Sequence, residues 1–508
     1  MSRHPFKTIE HRTARVLCSQ LKNLKTITES SVKRNLLVLV LTLSFLAPIA
    51  VMGGQARAPQ RRSRTESAAV ATAAPRLPEA KLVNRVLANG LEIIVLEDHS
   101  VPLVTIELAV KNGSYTEPPE LNGLSHLYEH MFFKANRAVA NAEEYLRTIG
   151  QLGIAYNGQT REEVVDYYFT TTSPNLRTAM NFMRDAARYP LFHEGEFERE
   201  RQVVIGEIDR NESNPFFYLN RELHDRLFYK YPSRKNPLGS RQTVSAATTE
   251  LMRLIQQRYY VPNNSALVIT GDVNPEEVFK MAQEFYGDWP RAEDPFVKFP
   301  MVEHPPLTKS EGTIIKQPVQ NVIMMVGWHG PSIGKDNPAT YAADVFSFIL
   351  TQPNSRFQRA LVDTGLVNGV TIGYYTQRNV GPILIALQTT PDKAHAAIKA
   401  VYAEVAHFND KDYFTDEQLE SAKALLEADD LYSREKLSEY AHTLSFWWAS
   451  TGLDYFRGYL KNLRATTRAD ISRYVTTYIQ GKPHVGLALI SEETQKQIQL
   501  TPEELIGQ

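Results

Sequence analysis

Two histidines and a glutamate lie close together in segment 123–134 and could hold and use a metal ion. His126 and His130 are four residues apart, and Glu129 directly precedes the second histidine. On a helix, residues three and four positions apart share one face, so the three side chains would project over one arc. Two imidazoles on one face can bind the same zinc ion, and a neighbouring carboxylate can take a proton from water. The spacing therefore predicts a catalytic zinc site with Glu129 as general base.

Two simpler explanations compete with this interpretation of the motif. The first is a chance match on a solvated helix, which, with 13 histidines in 508 residues, is expected in fewer than roughly one chain in twenty-five. The second is a pair of neutral histidines in a core. That arrangement would bury three polar groups together, which is costly without a metal ion or hydrogen-bond partners. Zinc binding is therefore the favoured explanation.

Length and composition limit the classes of protein that need to be considered. A chain of 508 residues with 43% hydrophobic content is too long for one core, so two or more packed units are expected. The formal net charge of −1 provides no basic field for nucleic acid, so no nucleic-acid partner is expected. The one cysteine, Cys18, lies near the N-terminus. If that segment is removed, any metal ligands must be histidines and carboxylates.

Residues 1–58 have the features of a targeting segment. Lys33 and Arg34 precede an uncharged apolar run over 36–52, which is followed by Ala56-Arg57-Ala58 as a small-residue cleavage site. This order is typical of a signal peptide and predicts export, to the periplasm in a bacterium. An uncleaved membrane anchor remains open, because the run is just short of the ~20 residues that span a bilayer. A mitochondrial presequence fits less well, and residues 59–80, rich in Ala, Arg, Ser and Pro, are expected to form a flexible tether.

The rest of the chain alternates between strand and helix patterns in a mixed order, which predicts an α+β fold. In its first part the strand patterns cover 91–97, 101–110, 166–172 and 265–272, and the helical patterns cover 123–149, 175–188, 194–210 and 248–260. We expect a mostly antiparallel sheet with helices packed on one face. The predicted units are a zinc-bearing catalytic unit at 81–294, a Pro-rich linker at 295–312 and a non-catalytic homologous unit at 313–508.

A faint internal repeat supports two homologous units in tandem. Ala247-Thr248-Thr249 precedes a helical run with Tyr260 thirteen residues after the alanine, and Ala465-Thr466-Thr467 precedes one with Tyr478 at the same offset. A strand pattern follows each helix. This shared order predicts that the chain arose by duplication.

The residues around the motif resemble those of the pitrilysin/insulinase family, which includes mitochondrial processing peptidase. The similarity extends over nearly the whole chain from about residue 81, and it is most specific in the helix at 123–134 and in the segment 197–207. The order of the motif, His-x-x-Glu-His, is the one found in the inverzincins. The resemblance implies a metallopeptidase with one zinc ion per chain, built as half of a clamshell chamber.

Further site residues come from this resemblance alone. The family's third ligand is a glutamate 75 to 80 residues after the second histidine, and Glu207 lies at that distance from His130. Glu200, two helical turns earlier, corresponds to the glutamate that supports the site from behind its ligands. Asn157, Gly158 and Thr160 match the edge strand that pairs with the substrate backbone. An ordinary Asn-Gly turn is an equally simple explanation of that last segment.

The second half departs from the family pattern at two positions. Active members carry an arginine and a tyrosine that help to bind the scissile peptide, and Leu361 and Asn368 stand in their places. The resemblance then implies a heterodimer in which a paralogous subunit supplies the missing pair. The alternative is a homodimer or a chain that acts alone, with Tyr374 or Tyr375 compensating.

The sequence thus predicts a zinc-dependent endopeptidase that hydrolyses short or unfolded peptides through a metal-activated water. The alternative function is a non-enzymatic assembly or peptide-binding subunit that retains the fold. A purely structural zinc ion is disfavoured, because such sites are normally closed by four protein ligands and the sequence offers three.

Overall fold

The structure is a computed structural model that describes residues 81–508, so the predicted leader and tether at 1–80 lie outside the described residues. The strands are β1 (Lys81–Val86), β2 (Glu92–Glu97), β3 (Leu103–Val110), β4 (Ala155–Thr160), β5 (Val165–Thr172), β6 (Ser265–Gly271), β7 (Glu311–Lys316), β8 (Val322–His329), β9 (Gly369–Tyr374), β10 (Pro382–Thr389) and β11 (Val485–Ile490). No helix within 81–508 is both long and apolar enough to cross a membrane.

The longer helices are interspersed with these strands in a mixed order, as the sequence pattern predicts. They are α1 (Leu124–Phe132), α2 (Ala142–Gln151), α3 (Leu176–Arg188), α4 (Glu194–Glu212), α5 (Pro215–Leu227), α6 (Thr249–Tyr259), α7 (Pro275–Tyr286), α8 (Asn337–Thr351), α9 (Ala394–His407), α10 (Asp416–Ser433), α11 (Leu437–Ser450), α12 (Leu453–Ala465), α13 (Arg468–Tyr478) and α14 (Glu492–Ile498). Short helices lie at Arg241–Ser245, Pro295–Lys298 and Arg356–Gln358. The α+β class is confirmed.

The two sheets have the same topology. The first has the order β1-β2-β6-β3-β5-β4 and the second β7-β11-β8-β10-β9, so removing β1 makes the two orders equivalent strand by strand. In each sheet one pair is parallel, β2 with β6 and β7 with β11, and the other pairs are antiparallel. The predicted duplication is therefore visible in the strand order.

In the structure, the equivalence between the two repeat segments is shifted by one residue relative to their alignment in the sequence. Thr248 caps α6 and Thr467 caps α13, each accepting a hydrogen bond from a backbone N–H in the first turn. These caps make Tyr478 equivalent to Tyr259, whereas the sequence comparison paired it with Tyr260. The displacement arises because the two alanine-threonine segments align by composition, and the cap decides where each helix starts.

Each sheet is covered on both faces, and the helix on the outer face comes from the other unit. In β2, Ile93 and Val95 face the main core of the first unit, while Ile94 and Leu96 face a separate apolar cluster. That cluster is completed by α11, which belongs to the second half of the chain. Reciprocally, α5 from the first half packs on the outer face of the second sheet. The two units therefore exchange helices and share their cores.

The helical pattern at 123–149 divides into two helices, although it contains no proline or glycine between residues 133 and 141. The interruption depends on a distant carboxylate. Buried Glu196 on α4 accepts hydrogen bonds from the backbone N–H of Ala135 at 3.1 Å and of Ala142 at 2.6 Å. These bonds replace the helical partners of both amides.

Candidate metal centre

Three side chains from two helices converge beside the first sheet. His126 and His130 lie on α1 and Glu207 lies on α4. Oε2 of Glu207 is 3.4 Å from Nε2 of His126 and 3.7 Å from Nε2 of His130. One donor atom from each residue lies within 4.8 Å of the other two. Both imidazoles therefore direct the same ring nitrogen towards the same carboxylate oxygen.

The start of α1 is held by a buried carboxylate from the preceding loop. Glu117 accepts hydrogen bonds from the backbone N–H of Gly123 at 2.7 Å and of Ser125 at 2.6 Å. Burial raises the pKa of Glu117 to about 7 against the opposing effect of these bonds. Gly123 has a φ of 92° and packs so closely on Gly239 that a Cβ would lie 2.7 Å from its Cα. Backbone contacts thus fix the helix that carries the two histidines.

A second glutamate orients His130 from the side away from Glu207. Oε2 of Glu200 lies 3.2 Å from Nδ1 of His130, and Oε1 of Glu200 forms an ion pair with Lys134 at 2.7 Å. Glu200 and Glu207 are seven residues apart on α4, so they lie on the same side of that helix. A carboxylate that binds the far nitrogen of a histidine fixes the tautomer and leaves Nε2 free to bind a metal ion.

The electrostatic environment of the three residues favours a cation between them. Burial and the adjacent charge of His130 lower the pKa of His126 to about 4. Burial also opposes protonation of His130, but the carboxylates of Glu200 and Glu207 outweigh it and raise the pKa to about 9. The pKa of Glu207 is lowered, chiefly by His130. The same negative potential that draws a proton to His130 would draw a metal cation.

Glu129 faces the same space, but it is held apart from the three converging side chains. Its Oε2 accepts a hydrogen bond from the Thr160 hydroxyl at 2.7 Å. Burial raises the pKa of Glu129, while the bond from Thr160 opposes the shift. A Cβ on Gly158 would lie only 2.8 Å from Cγ of Glu129, so the absence of a side chain at 158 makes room for this carboxylate.

Strand β4 forms the edge of the first sheet next to Glu129. It pairs with β5 alone, so its outer backbone groups have no strand partner within residues 81–508. Gly158 and Thr160 face α1, whereas the alternation of the strand directs Asn157 to the opposite face. Of the three residues expected to bind substrate, Asn157 therefore directs its side chain away from α1.

A cavity of about 500 Å³ opens beside the three converging residues. His126, Glu207 and Thr160 line one side, and α5 contributes Phe217 and His224. Tyr375, from the second unit, lines the same cavity and donates a hydrogen bond to Oε2 of Glu162 at 3.2 Å. The cavity thus lies at the junction of both units.

The other second-half residues singled out in the sequence lie away from the cavity. Leu361 is fully buried in the core of the second unit, and Asn368 donates its backbone N–H to Gln388. Tyr374 is buried and donates its hydroxyl to the carbonyl of Pro331 at 2.9 Å. Of the two tyrosines proposed to compensate, the structure places Tyr375 in the cavity.

The donor set fits a zinc ion of the catalytic type. Two imidazole nitrogens and one carboxylate oxygen are ligands that zinc accepts, and three protein ligands leave one position for water. Glu200 supplies the outer carboxylate that accompanies such histidines.

Sequence reasoning did not identify Glu117, Glu162 or the close contact at Gly158. Glu117 is a single acidic residue in a loop, and Glu162 is one of two adjacent glutamates. Neither has a spacing that would reveal its role. The Asn157-Gly158 pair gave a signal, although the reason for the glycine is steric and depends on α1.

Comparison with known proteins gives a consistent family assignment. The family model described as insulinase (peptidase family M16) matches residues 92–240, and the model described as the peptidase M16 inactive domain matches residues 246–426. An uncharacterized zinc protease of Rickettsia felis is 25% identical over 356 residues, covering 69% of this chain and 84% of that protein. The zinc protease PqqE of Helicobacter pylori is 21% identical over 400 residues, covering 78% and 89%.

A solved structure of a protease from Helicobacter pylori shares the fold. It superposes with a TM-score of 0.73 at 20% identity, covering 81% of this chain and 99% of that one. The second of the two family models carries the description of an inactive domain, which agrees with the absence of a His-x-x-Glu-His motif from residues 246–426. The chain belongs to the insulinase (M16) family of zinc peptidases.

Proposed function

We propose that this chain is a zinc-dependent endopeptidase in which His126, His130 and Glu207 hold the metal ion and Glu129 is the general base. The observation that carries the proposal is the approach of both Nε2 atoms to one oxygen of Glu207, at 3.4 and 3.7 Å. The catalytic unit is the part of the chain at 81–294. The unit at 313–508 contributes Tyr375 to the cavity and the helix α11 to the outer face of the catalytic sheet.

In this mechanism each protein group has a separate task. A bound zinc ion supplies Lewis acidity and lowers the pKa of water to ~7. Glu129 accepts the proton of the attacking water and later passes it to the leaving amine of the cleaved peptide. Thr160 orients this carboxylate through its hydrogen bond. Burial raises the pKa of Glu129 and so brings its basicity closer to that needed near neutral pH.

The substrate binds as an added strand on β4. The free edge of β4 offers backbone N–H and C=O groups next to Glu129, and an extended peptide can pair with them without a particular side-chain sequence. The adjoining cavity of about 500 Å³ receives one substrate side chain. Only unfolded or short peptides can supply such an extended segment, which makes them the proposed substrates.

The assembly that we propose is a closed chamber made from two chains. Because Leu361 is buried in the second core, it offers no group to a peptide in the same chain. A paralogous subunit that supplies the arginine and tyrosine is the preferred partner, and a homodimer with Tyr375 in the cavity is the alternative. We further propose export through the segment at 1–58, to the periplasm or to the outer side of a membrane.

The direct test is metal removal and restoration on the purified full chain. We expect a chelator to abolish cleavage of unstructured peptides and zinc, but not magnesium, to restore it, with products of internal cleavage seen by mass spectrometry. The assay is repeated with the paralogous subunit co-expressed. Cleavage that survives complete zinc removal would overturn the proposal. A zinc-loaded chain that cleaves no peptide in either preparation would instead support the non-enzymatic role.

Glu200 allows a second test of the site. Replacing Glu200 with Gln weakens the acceptor at Nδ1 of His130 and leaves Lys134 without its ion pair. We expect zinc affinity to fall by ~10 to 100-fold, as for other carboxylates that support a ligating histidine. Competition with a chromophoric chelator measures the affinity.

Glu198→Gln on the same helix is the matched control for this test. Glu198 is exposed and pairs with Arg201, so its replacement is expected to leave zinc affinity unchanged. Equal affinities for the Glu200 variant and the wild type would remove Glu200 from the site.

A further inference from the structure

A second group of acidic and imidazole side chains lies on the opposite face of the catalytic sheet. Glu107 on β3 and Asp166 on β5 face His442, which projects from α11 of the second unit. Nδ1 of His442 is 2.6 Å from Oε2 of Glu107 and 3.8 Å from Oδ1 of Asp166. One donor atom from each of the three residues lies within 4.8 Å of the others. The same upper limit of distance holds for the metal centre described above.

Both carboxylates are buried and incompletely satisfied. Glu107 is 0% exposed and Asp166 is 2% exposed. Oε1 of Glu107 and Oδ1 of Asp166 are buried without a hydrogen-bond partner. Within residues 81–508, the cationic group that lies within 4.0 Å of these carboxylates is His442. Two buried carboxylates therefore face a single imidazole, and buried oxygens of this kind need a donor or a cation.

A single proton would have to serve two unsatisfied oxygens at this site. Burial and then the charge of Glu107 raise the pKa of Asp166 well above its usual value, so protonation would remove one negative charge. Oδ1 of Asp166 and Oε1 of Glu107 each lack a hydrogen-bond donor. A cation placed between the two oxygens would satisfy both atoms and balance both charges.

The surroundings of His442 hold its ring in one orientation. The ring of Tyr168 lies against it, with centroids 4.3 Å apart. Burial lowers the pKa of His442, but the hydrogen bond to Glu107 and the charges of Asp166 and Glu439 outweigh it, so the pKa is raised. A bound cation would displace the proton of His442, because a metal ligand must be a neutral imidazole.

We propose that Glu107, Asp166 and His442 form a second divalent-cation site, separate from the catalytic one and suited to Zn²⁺. A set of one imidazole and two carboxylates favours zinc over magnesium, which prefers oxygen ligands alone. The ion would tie α11 of the second unit to β3 and β5 of the catalytic sheet. Since β5 pairs with β4, this link would stiffen the strand that carries Gly158 and Thr160.

The experiment counts zinc ions per chain after equilibration with free Zn²⁺ and removal of the unbound metal. We expect two ions for the wild type and one for a His126→Ala/His130→Ala variant, in which the catalytic site is removed. Adding Asp166→Asn to that variant is expected to remove the remaining ion. Zinc should raise the melting temperature of the two-histidine variant and should not change that of the triple variant.

Asp344→Asn in the two-histidine background is the matched control. Asp344 is also buried, but its Oδ2 accepts a hydrogen bond from Tyr459 at 2.7 Å, so one ion should remain bound. A folded two-histidine variant without zinc would overturn the second site, whatever the fate of the triple variant. A wild type that binds one ion, as the two-histidine variant does, would instead count against the catalytic site, so the two proposals fail separately.

Discussion

Glu129→Gln is expected to reduce peptide cleavage by ~10² to 10⁴-fold, the range found when a general base is removed. The amide has nearly the same shape as the carboxylate and can still accept a hydrogen bond from Thr160, which lies 2.7 Å from Oε2. It cannot accept the proton of the attacking water. The variant should therefore fold and bind peptide as the wild type does, and the loss should appear in kcat.

Zinc content distinguishes a general base from a metal ligand at this position. Glu129 is not among the three residues whose donor atoms converge, so Glu129→Gln should retain its full complement of zinc. Glu143→Gln, an exposed residue in the first turn of α2, controls for the change of charge and should cleave normally. Wild-type activity in Glu129→Gln would refute the mechanism. Loss of zinc together with activity would make Glu129 a ligand.

The part of the site that follows from local geometry could be predicted from the sequence. His126, Glu129 and His130 lie on one helix, and their relation depends on helical spacing alone. Glu207 lies on another helix, and only the family resemblance selected it among many glutamates. The sequence also predicted the α+β class and the repeated unit, because strand and helix periodicities are local signals.

Contacts between distant segments could not be predicted in the same way. The division between α1 and α2 depends on Glu196, which lies more than fifty residues away and supplies hydrogen bonds that a helical pattern does not reveal. The sequence does not predict the exchange of α5 and α11 between the two units either. The apolar face of a helix indicates that it must be covered, but not which sheet will cover it. Tyr375 reaches the cavity through that same arrangement.

Gly158→Ala is expected to reduce cleavage by ~100-fold, because small displacements of a catalytic group have effects of this size. The added Cβ would lie 2.8 Å from Cγ of Glu129 and 3.2 Å from its Cδ and Oε1. These atoms belong to a carboxylate that is held by Thr160 and packed between α1 and β4, so relief requires either the side chain or the strand to move. In both cases the general base leaves its position.

Gly206→Ala provides the matched control, since Gly206 precedes Glu207 on α4 and a Cβ there meets no atom within 4 Å. Alanine in an exposed helix should stabilise the fold by ~0.5 to 1 kcal/mol and leave cleavage unchanged. Zinc content should be normal in both variants, because the clash at 158 involves Glu129 and none of the three converging residues. Full activity in Gly158→Ala would mean that Glu129 does not need the position described here, and the role assigned to β4 would then rest on its backbone alone.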